Sequence, residues 1–273
     1  MQVLLLGGHG KIAQYLTPLL LSRAWNVTSV IRNPDHEREI RALGQDKAGK
    51  LDVLLSSLDD VKTEADARGV LDRVSPDCVV WAAGAGGKGG PERTKAIDEV
   101  AARHFATASF AHPRVVKFLL VSHIGSRRGR PSWMSDEDWE RLQHVNNDVL
   151  PVYAKAKLEA DEYLTALARR RNEERRRDHL PLMQVILLRP GLLADSPATG
   201  RVALGKIGSQ GKVPREDVAI VADRLLARDD THGWVDLLGG EVPVDEAVDA
   251  VVRDKVDTVE GEDVDAMAKR FDL

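Results

Sequence analysis

The first thirteen residues constrain the fold more than any other stretch of the chain. Val3-Leu4-Leu5-Leu6 is an apolar run, and Gly7-Gly8-His9-Gly10-Lys11-Ile12-Ala13 follows it directly. Behind that, Tyr15, Leu16, Leu19 and Leu20 recur at helical spacing. An apolar run that passes through glycines into such a pattern reads as a buried strand, a tight turn and a helix N-terminus. That N-terminus presents unpaired N–H groups and the positive end of the helix dipole, and together they attract a phosphate. Gly8, Gly10 and Ala13 fit G-x-G-x-x-G/A, whose last position needs only a small side chain so that helix and strand pack closely. Gly7 adds a second early glycine for the turn. The pattern predicts a dinucleotide site.

A chain of 273 residues can form one large α/β domain, or a domain with a small appendage. The formal net charge of −4 gives no electrostatic reason to expect a nucleic acid or an anionic membrane as partner. No apolar run approaches the roughly 20 residues that span a bilayer. The chain opens on a strand, without a basic segment or a small-residue cleavage site before it. The single cysteine, Cys78, lies in an apolar run and reads as a small core residue. A reducing, cytoplasmic setting is expected, with a small-molecule substrate and a monomer or homodimer.

Strands alternate with helices along the chain. Strands are expected at 26–31, 51–55, 78–83, 115–121 and 183–188, with helices at 35–43, 61–74, 94–110 and 150–178 between them. The 84–90 stretch reads as a glycine-rich loop, and 125–147 as a polar loop with one short helix. This order predicts an α/β fold of Rossmann type, a doubly wound parallel sheet with helices on both faces. One NAD(P)-binding domain is expected over 1–253. Within it, 192–253 forms a small C-terminal part on the substrate side, with a strand at 213–214, a helix at 215–227, a strand at 234–238 and a helix at 244–252. The acidic tail, 254–273, is expected to be loosely attached. The arginines at 169–171 and 175–177 suit the C-terminal end of the long helix, where cations complement the dipole.

The residue at the end of the second strand bears on the choice of coenzyme. A carboxylate there suits the ribose hydroxyls of NAD, and an arginine suits a 2′-phosphate. The chain has Arg32 followed by Asn33, with no acid before Asp35. A guanidinium matches a phosphate with two parallel charge-assisted hydrogen bonds, so NADP(H) is expected, with NAD(H) as the alternative. Further along, the fifth strand ends in Val121-Ser122-His123, at the sheet edge where open α/β sheets bind ligands. Tyr153 and Lys157 are four residues apart on one helical face. An ammonium beside a phenol lowers its pKa, making Tyr153 the expected proton donor to a developing alkoxide, with Ser122 bonding the same oxygen.

In this order the motifs resemble those of the short-chain dehydrogenase/reductase superfamily. The residues that carry the resemblance are the glycine turn, Val30-Ile31-Arg32-Asn33-Pro34, Trp81-Ala82-Ala83-Gly84, Ser122, Tyr153-x-x-x-Lys157 and Arg189-Pro190-Gly191. Within the superfamily the chain is similar to the atypical branch of NmrA-like and epimerase-like proteins, in particular fungal NAD(P)H-binding members. Val213-Pro214-Arg215-Glu216-Asp217-Val218-Ala219 looks like a helix start common in that branch.

The resemblance implies that Gly7, Gly10 and Ala13 surround the pyrophosphate, with Gly8, His9, Lys11 and Ile12 in the same turn. Arg32 would hold the 2′-phosphate. Ser57-Leu58 stands where relatives carry an Asp and an apolar residue beside the adenine. Ala82, Ala83 and Gly84 would line the ribose, Lys157 would bond the nicotinamide ribose, and Pro190-Gly191 would flank the nicotinamide. Ser122 and Tyr153 are separated by a loop carrying Arg127, Arg128, Arg130, Trp133 and Trp139, where substrate contacts or a lid are expected. Three functions follow in order of preference. The first is an NADPH-dependent oxidoreductase using Ser122, Tyr153 and Lys157, and the second a non-catalytic NADP(H) sensor. The third, an epimerase or dehydratase, would need more substrate domain than the roughly 60 residues after Gly191 provide.

Overall fold

A computed structural model describes residues 1–86 and 89–273. The elements run β1 (Gln2–Leu6), α1 (Lys11–Ser22), β2 (Asn26–Ile31), α2 (Glu37–Ala42), β3 (Leu51–Leu55), α3 (Glu64–Val74) and β4 (Cys78–Trp81). Next come α4 (Gly90–Thr94), a π-helical segment (Lys95–Ala101), α5 (Ala102–Ala111), β5 (Lys117–Val121), α6 (Asp136–His144) and α7 (Pro151–Arg177). The C-terminal part holds β6 (Gln184–Pro190), β7 (Leu192–Ala194), β8 (Arg201–Leu204), β9 (Lys212–Pro214), α8 (Arg215–Leu226), β10 (Gly233–Gly239), β11 (Val242–Pro243), α9 (Val244–Arg253) and α10 (Val264–Arg270).

Among the described residues the main sheet has the order β11-β8-β10-β6-β5-β4-β1-β2-β3. It is parallel from β3 to β10, and only β8 and β11 add antiparallel pairs at one edge. The expected doubly wound α/β fold is therefore present. Strand order reverses beside β1, with β2 on one side and β4 on the other, which leaves a crevice beyond their C-terminal ends.

Side chains alternate across the sheet. Leu4 and Leu6 of β1 join Val79, Trp81, Phe105, Phe118 and Leu164 on one face. Val3 and Leu5 join Leu16, Leu20, Val80, Leu119 and Val221 on the other. Both faces are covered by helices, so the central strands β1, β4 and β5 are mostly apolar. Cys78 is buried on β4, as expected, and burial pushes its thiol up to about 12.

Two expectations of the sequence need correction. The sixth strand continues past Leu188 through Arg189 and Pro190. Arg189 is fully buried there, because its Nε lies 3.0 Å from Asp236 and its guanidinium stacks 3.8 Å from the Trp234 ring. Residues 125–147 hold the one short helix expected there, α6, N-capped by Ser135 accepting from the Asp138 amide.

The acidic C-terminal stretch is packed rather than loose. Met267 is 1% exposed and sits in the core with Phe105 and Leu164. Two of its acids accept backbone amides from elsewhere in the fold. Glu262 accepts from the Arg128 and Gly129 amides, and Asp257 from the Trp234 amide. The 84–90 loop includes Gly87 and Lys88, which lie outside the described residues.

Candidate functional site

The loops after β1 and β4 meet at Gly7. Its φ of +84° is one that L side chains rarely adopt, and a Cβ there would lie 2.6 Å from Ala83 Cα. Gly10 is the N-cap of α1, and a Cβ on it would lie 3.0 Å from the Gly7 carbonyl oxygen. No side chain caps this helix and no acid stands in its first turn. Its first N–H groups thus open on a cleft of about 620 Å³. A glycine cradle at an uncapped helix start fits the diphosphate of a dinucleotide.

Most of the expected cofactor residues line this cleft. Gly7, His9, Gly10 and Lys11 form one wall, Arg32 and Leu58 the end beyond β2 and β3, and Ala82, Ala83 and Gly84 the wall on the β4 side. Ser122, Lys157, Pro190 and Gly191 are not among its lining residues, and three others have different roles. Gly8 faces β2, its N–H donating to the Val30 carbonyl at 2.9 Å and its missing Cβ making room for Ser29. Ile12 is buried in the core. Ser57 accepts from the Asp59 amide at 3.2 Å, capping a turn, and its neighbour Ser56 lines the cleft instead.

Charges are arranged at both ends of the cleft. Lys11 and Arg215, both on the lining, are bridged by Asp195, at 2.8 Å and 2.6 Å. At the other end Arg32 and Arg93 both hold Asp59, each at 2.8 Å. Asp59 thus places a carboxylate at the Arg32 end of the cleft, two residues beyond Ser57, which stands where an acid was expected from the resemblance. Burial raises the pKa of Asp59, but hydrogen bonds from Arg93 and Arg32 outweigh it and hold the carboxyl below its usual range. The His9 and His36 rings stack, with centroids 3.5 Å apart.

Tyr153, Lys157 and Asp161 follow one another turn by turn along α7. Lys157 is buried, with Nζ 3.1 Å from Asp98 and donating to the Val121 carbonyl at 3.3 Å. Burial alone would lower its pKa, but Asp98 and Tyr153 outweigh that and raise it. Asp98 lies on the π-helical segment and its other oxygen accepts from the Ala85 amide at 2.9 Å. The same carboxylate therefore ties the coenzyme-side loop to the lysine. Ser122, at the end of β5, donates to Asp161 at 2.6 Å. Burial pushes Asp161 up to about 6, against the pull of Arg189 and Ser122. His123 packs edge-on to Tyr153, centroids 5.7 Å apart, and burial with Arg189 and Lys157 lowers it to about 4.

The lysine was expected to lower the pKa of Tyr153. Lys157 does act in that direction, but burial is the larger effect and Asp98 and Asp161 add to it, so the phenol is raised. Pro190 ends β6 at the same sheet edge, its carbonyl accepting from the Ile124 amide, and Gly191 follows with no room for a Cβ against Leu238. Arg127 is buried, donating to the Thr258 and Glu260 carbonyls. Arg128 pairs with the buried Glu162 at 2.6 Å. The sequence reading missed Asp98, Asp161, Asp59, Arg93 and Arg215. Asp161 extends the four-residue spacing of Tyr153 and Lys157, a signal that was readable. Asp98 is distant in the chain and carried none.

The model of the family described as NAD(P)H-binding matches residues 7–229. The chain belongs to this NAD(P)H-binding family. It is 31% identical over 247 residues to UPF0659 protein C216.03 of Schizosaccharomyces pombe, covering 89% of this chain and 91% of that protein. It is 26% identical to a Bacillus subtilis protein named uncharacterized sugar epimerase YhfK, covering 91% and 99% of the two chains. Among solved structures, one from Bacillus halodurans, named as a candidate NAD-dependent epimerase/dehydratase, superposes with a TM-score of 0.69 at 26% identity. That match covers 92% of this chain and 99% of the other. The oxidoreductase ylbE of Lactococcus lactis, at 19% identity and TM-score 0.66 over 93% and 97% of the chains, shares the fold. Family and fold together are those of an NAD(P)H-binding protein. Among the described residues no helix is long and apolar enough to cross a membrane.

Proposed function

We propose that this protein is an NADPH-dependent oxidoreductase of the atypical short-chain dehydrogenase/reductase type, acting on a small carbonyl compound. The supporting observation is the cleft. Its lining joins an uncapped helix start to Lys11, Arg32, Arg93 and Arg215; Asp59 is the one carboxylate among the described lining residues and Asp195 pairs with Lys11 and Arg215, so cations outnumber these carboxylates four to two. Such a surplus of cations suits a coenzyme with three phosphate groups better than one with two. Gly7 and Gly10 would hold the diphosphate, Arg32 the 2′-phosphate and Leu58 the adenine face. When bound, NADPH supplies the hydride.

The chain's own groups handle the proton. Burial keeps the Tyr153 phenol protonated at neutral pH, the state required of an acid facing a developing alkoxide. Lys157, held charged by Asp98, keeps a cation near that oxygen. Ser122 directs its proton to Asp161 and turns its lone pairs to other partners. Calorimetry with NADP+ and NAD+, then NADPH oxidation against aldehydes, ketones and quinones, tests this reading. Tyr153→Phe should abolish turnover and leave coenzyme affinity within about twofold. Unchanged turnover would remove the tyrosine from the mechanism.

A second reading, NADP(H) sensing without turnover, draws on one observation. Lys157 and Ser122 are both satisfied by buried carboxylates. Coenzyme binding with no NADPH consumption across that panel would favour it.

A further inference from the structure

Three elements converge on the Arg32 end of the cleft. Arg32 comes from the end of β2, Asp59 from the turn after β3, and Arg93 from α4, beyond the loop that follows β4. All three side chains line the cleft. Arg32 donates through Nη1 to Asp59 Oδ2 at 2.8 Å. Arg93 donates through Nε to Oδ1 at 2.8 Å and through Nη2 to Oδ2 at 3.2 Å. Two guanidiniums from distant parts of the chain are therefore aimed at one small anionic group. Their sum with Asp59 is a single positive charge, and each side chain keeps part of its surface open, 59% for Arg32 and 24% for Arg93.

We propose that Arg93 is a second 2′-phosphate-binding residue, acting with Arg32, and that Asp59 is the internal carboxylate with which this phosphate competes. This inference rests on the coenzyme reading above and adds a specificity determinant to it. A phosphate monoester carries three acceptor oxygens and close to two charges at neutral pH. It can take the forked pair from Arg93 and the bond from Arg32 that Asp59 takes now, and it adds a third oxygen and close to one more charge. An NAD-type ribose offers neutral hydroxyls and gives neither arginine a reason to leave Asp59. Discrimination thus comes from a contest between two anions for the same pair of cations. Neutralising Asp59 should strengthen the phosphate's side of it.

The test compares 2′,5′-ADP with 5′-AMP by calorimetry, since the two differ only in the 2′-phosphate. Arg93→Gln should weaken 2′,5′-ADP at least tenfold and change 5′-AMP less than twofold. Arg93→Lys should recover part of the loss. Asp59→Asn should tighten 2′,5′-ADP about threefold or more and leave 5′-AMP unchanged. An Arg93→Gln protein that loses both ligands in the same proportion, or neither, overturns the proposal. So does an Asp59→Asn protein that loses 5′-AMP while keeping 2′,5′-ADP, because Asp59 would then be a ribose acceptor. A wild-type protein that binds neither nucleotide instead refutes the coenzyme reading itself.

Discussion

Lys157 Nζ lies 3.1 Å from Asp98 Oδ1, with both side chains buried between α7 and the π-helical segment. Asp98 also accepts from the Ala85 amide, so the lysine, the carboxylate and the coenzyme-side loop form one unit. Removing one charge of a buried pair leaves the other uncompensated, at a cost of about 3–5 kcal/mol. Lys157→Met should therefore be strongly destabilised in urea, and the double variant Lys157→Met/Asp98→Asn should regain much of the loss. Additive single and double effects would show that the two charges are not coupled.

Gly8 is spared a clash with Ser29 rather than reserved for a ligand. A Cβ on Gly8 would lie 1.8 Å from Ser29 Oγ, a buried hydroxyl with no hydrogen-bond partner among the described residues. Gly8→Ala should cost about 1–3 kcal/mol. Adding Ser29→Ala removes the offending oxygen and sacrifices no hydrogen bond, so most of that loss should return. Chemical denaturation of the two variants checks this.

Asp161 and His123 give opposite pH dependences. Asp161 folds with a pKa near 6, above its ordinary 3.8, so the folded state binds the extra proton and its contribution to stability falls as pH rises from about 4 to 6. His123 folds with a pKa near 4, below 6.5, so the unfolded state binds the extra proton and stability rises between about 4 and 6.5. His123→Gln should make the protein relatively more stable at pH 4.5 than at 6.5, compared with wild type. Asp161→Asn should shift the profile the other way. The limiting slope for each is about 1.4 kcal/mol per pH unit. Urea midpoints at these pH values decide it.

Met267 fills the core beside α5 and α7, so Met267→Ala should cost about 2–5 kcal/mol. A thermal melt indistinguishable from wild type would mean that the C-terminal segment contributes nothing to the fold.

The periodic parts of the fold were legible in the sequence. Val3 to Ala13 announced strand, turn and helix, and the alternating strands and helices after it fixed the parallel sheet. The short edge strands β8 and β11 were hidden because they pair across the sheet edge rather than through a local pattern. The C-terminal segment misled because acids read as solvated, whereas Asp257 and Glu262 accept backbone amides. At the site, Tyr153 and Lys157 could be paired by spacing alone. Their carboxylate neighbours could not, since Asp98 reaches Lys157 only through the folding of the π-helical segment onto α7.

The contacts of Arg127 with Thr258 and Glu260, and of Glu262 with the amides of residues 128 and 129, have a consequence for biosynthesis. The turn that follows Ser122 is held by residues more than 130 positions further along the chain. A nascent polypeptide can assemble its glycine cradle early, yet must wait until that distant segment has emerged from the ribosome before the turn after Ser122 takes its final form.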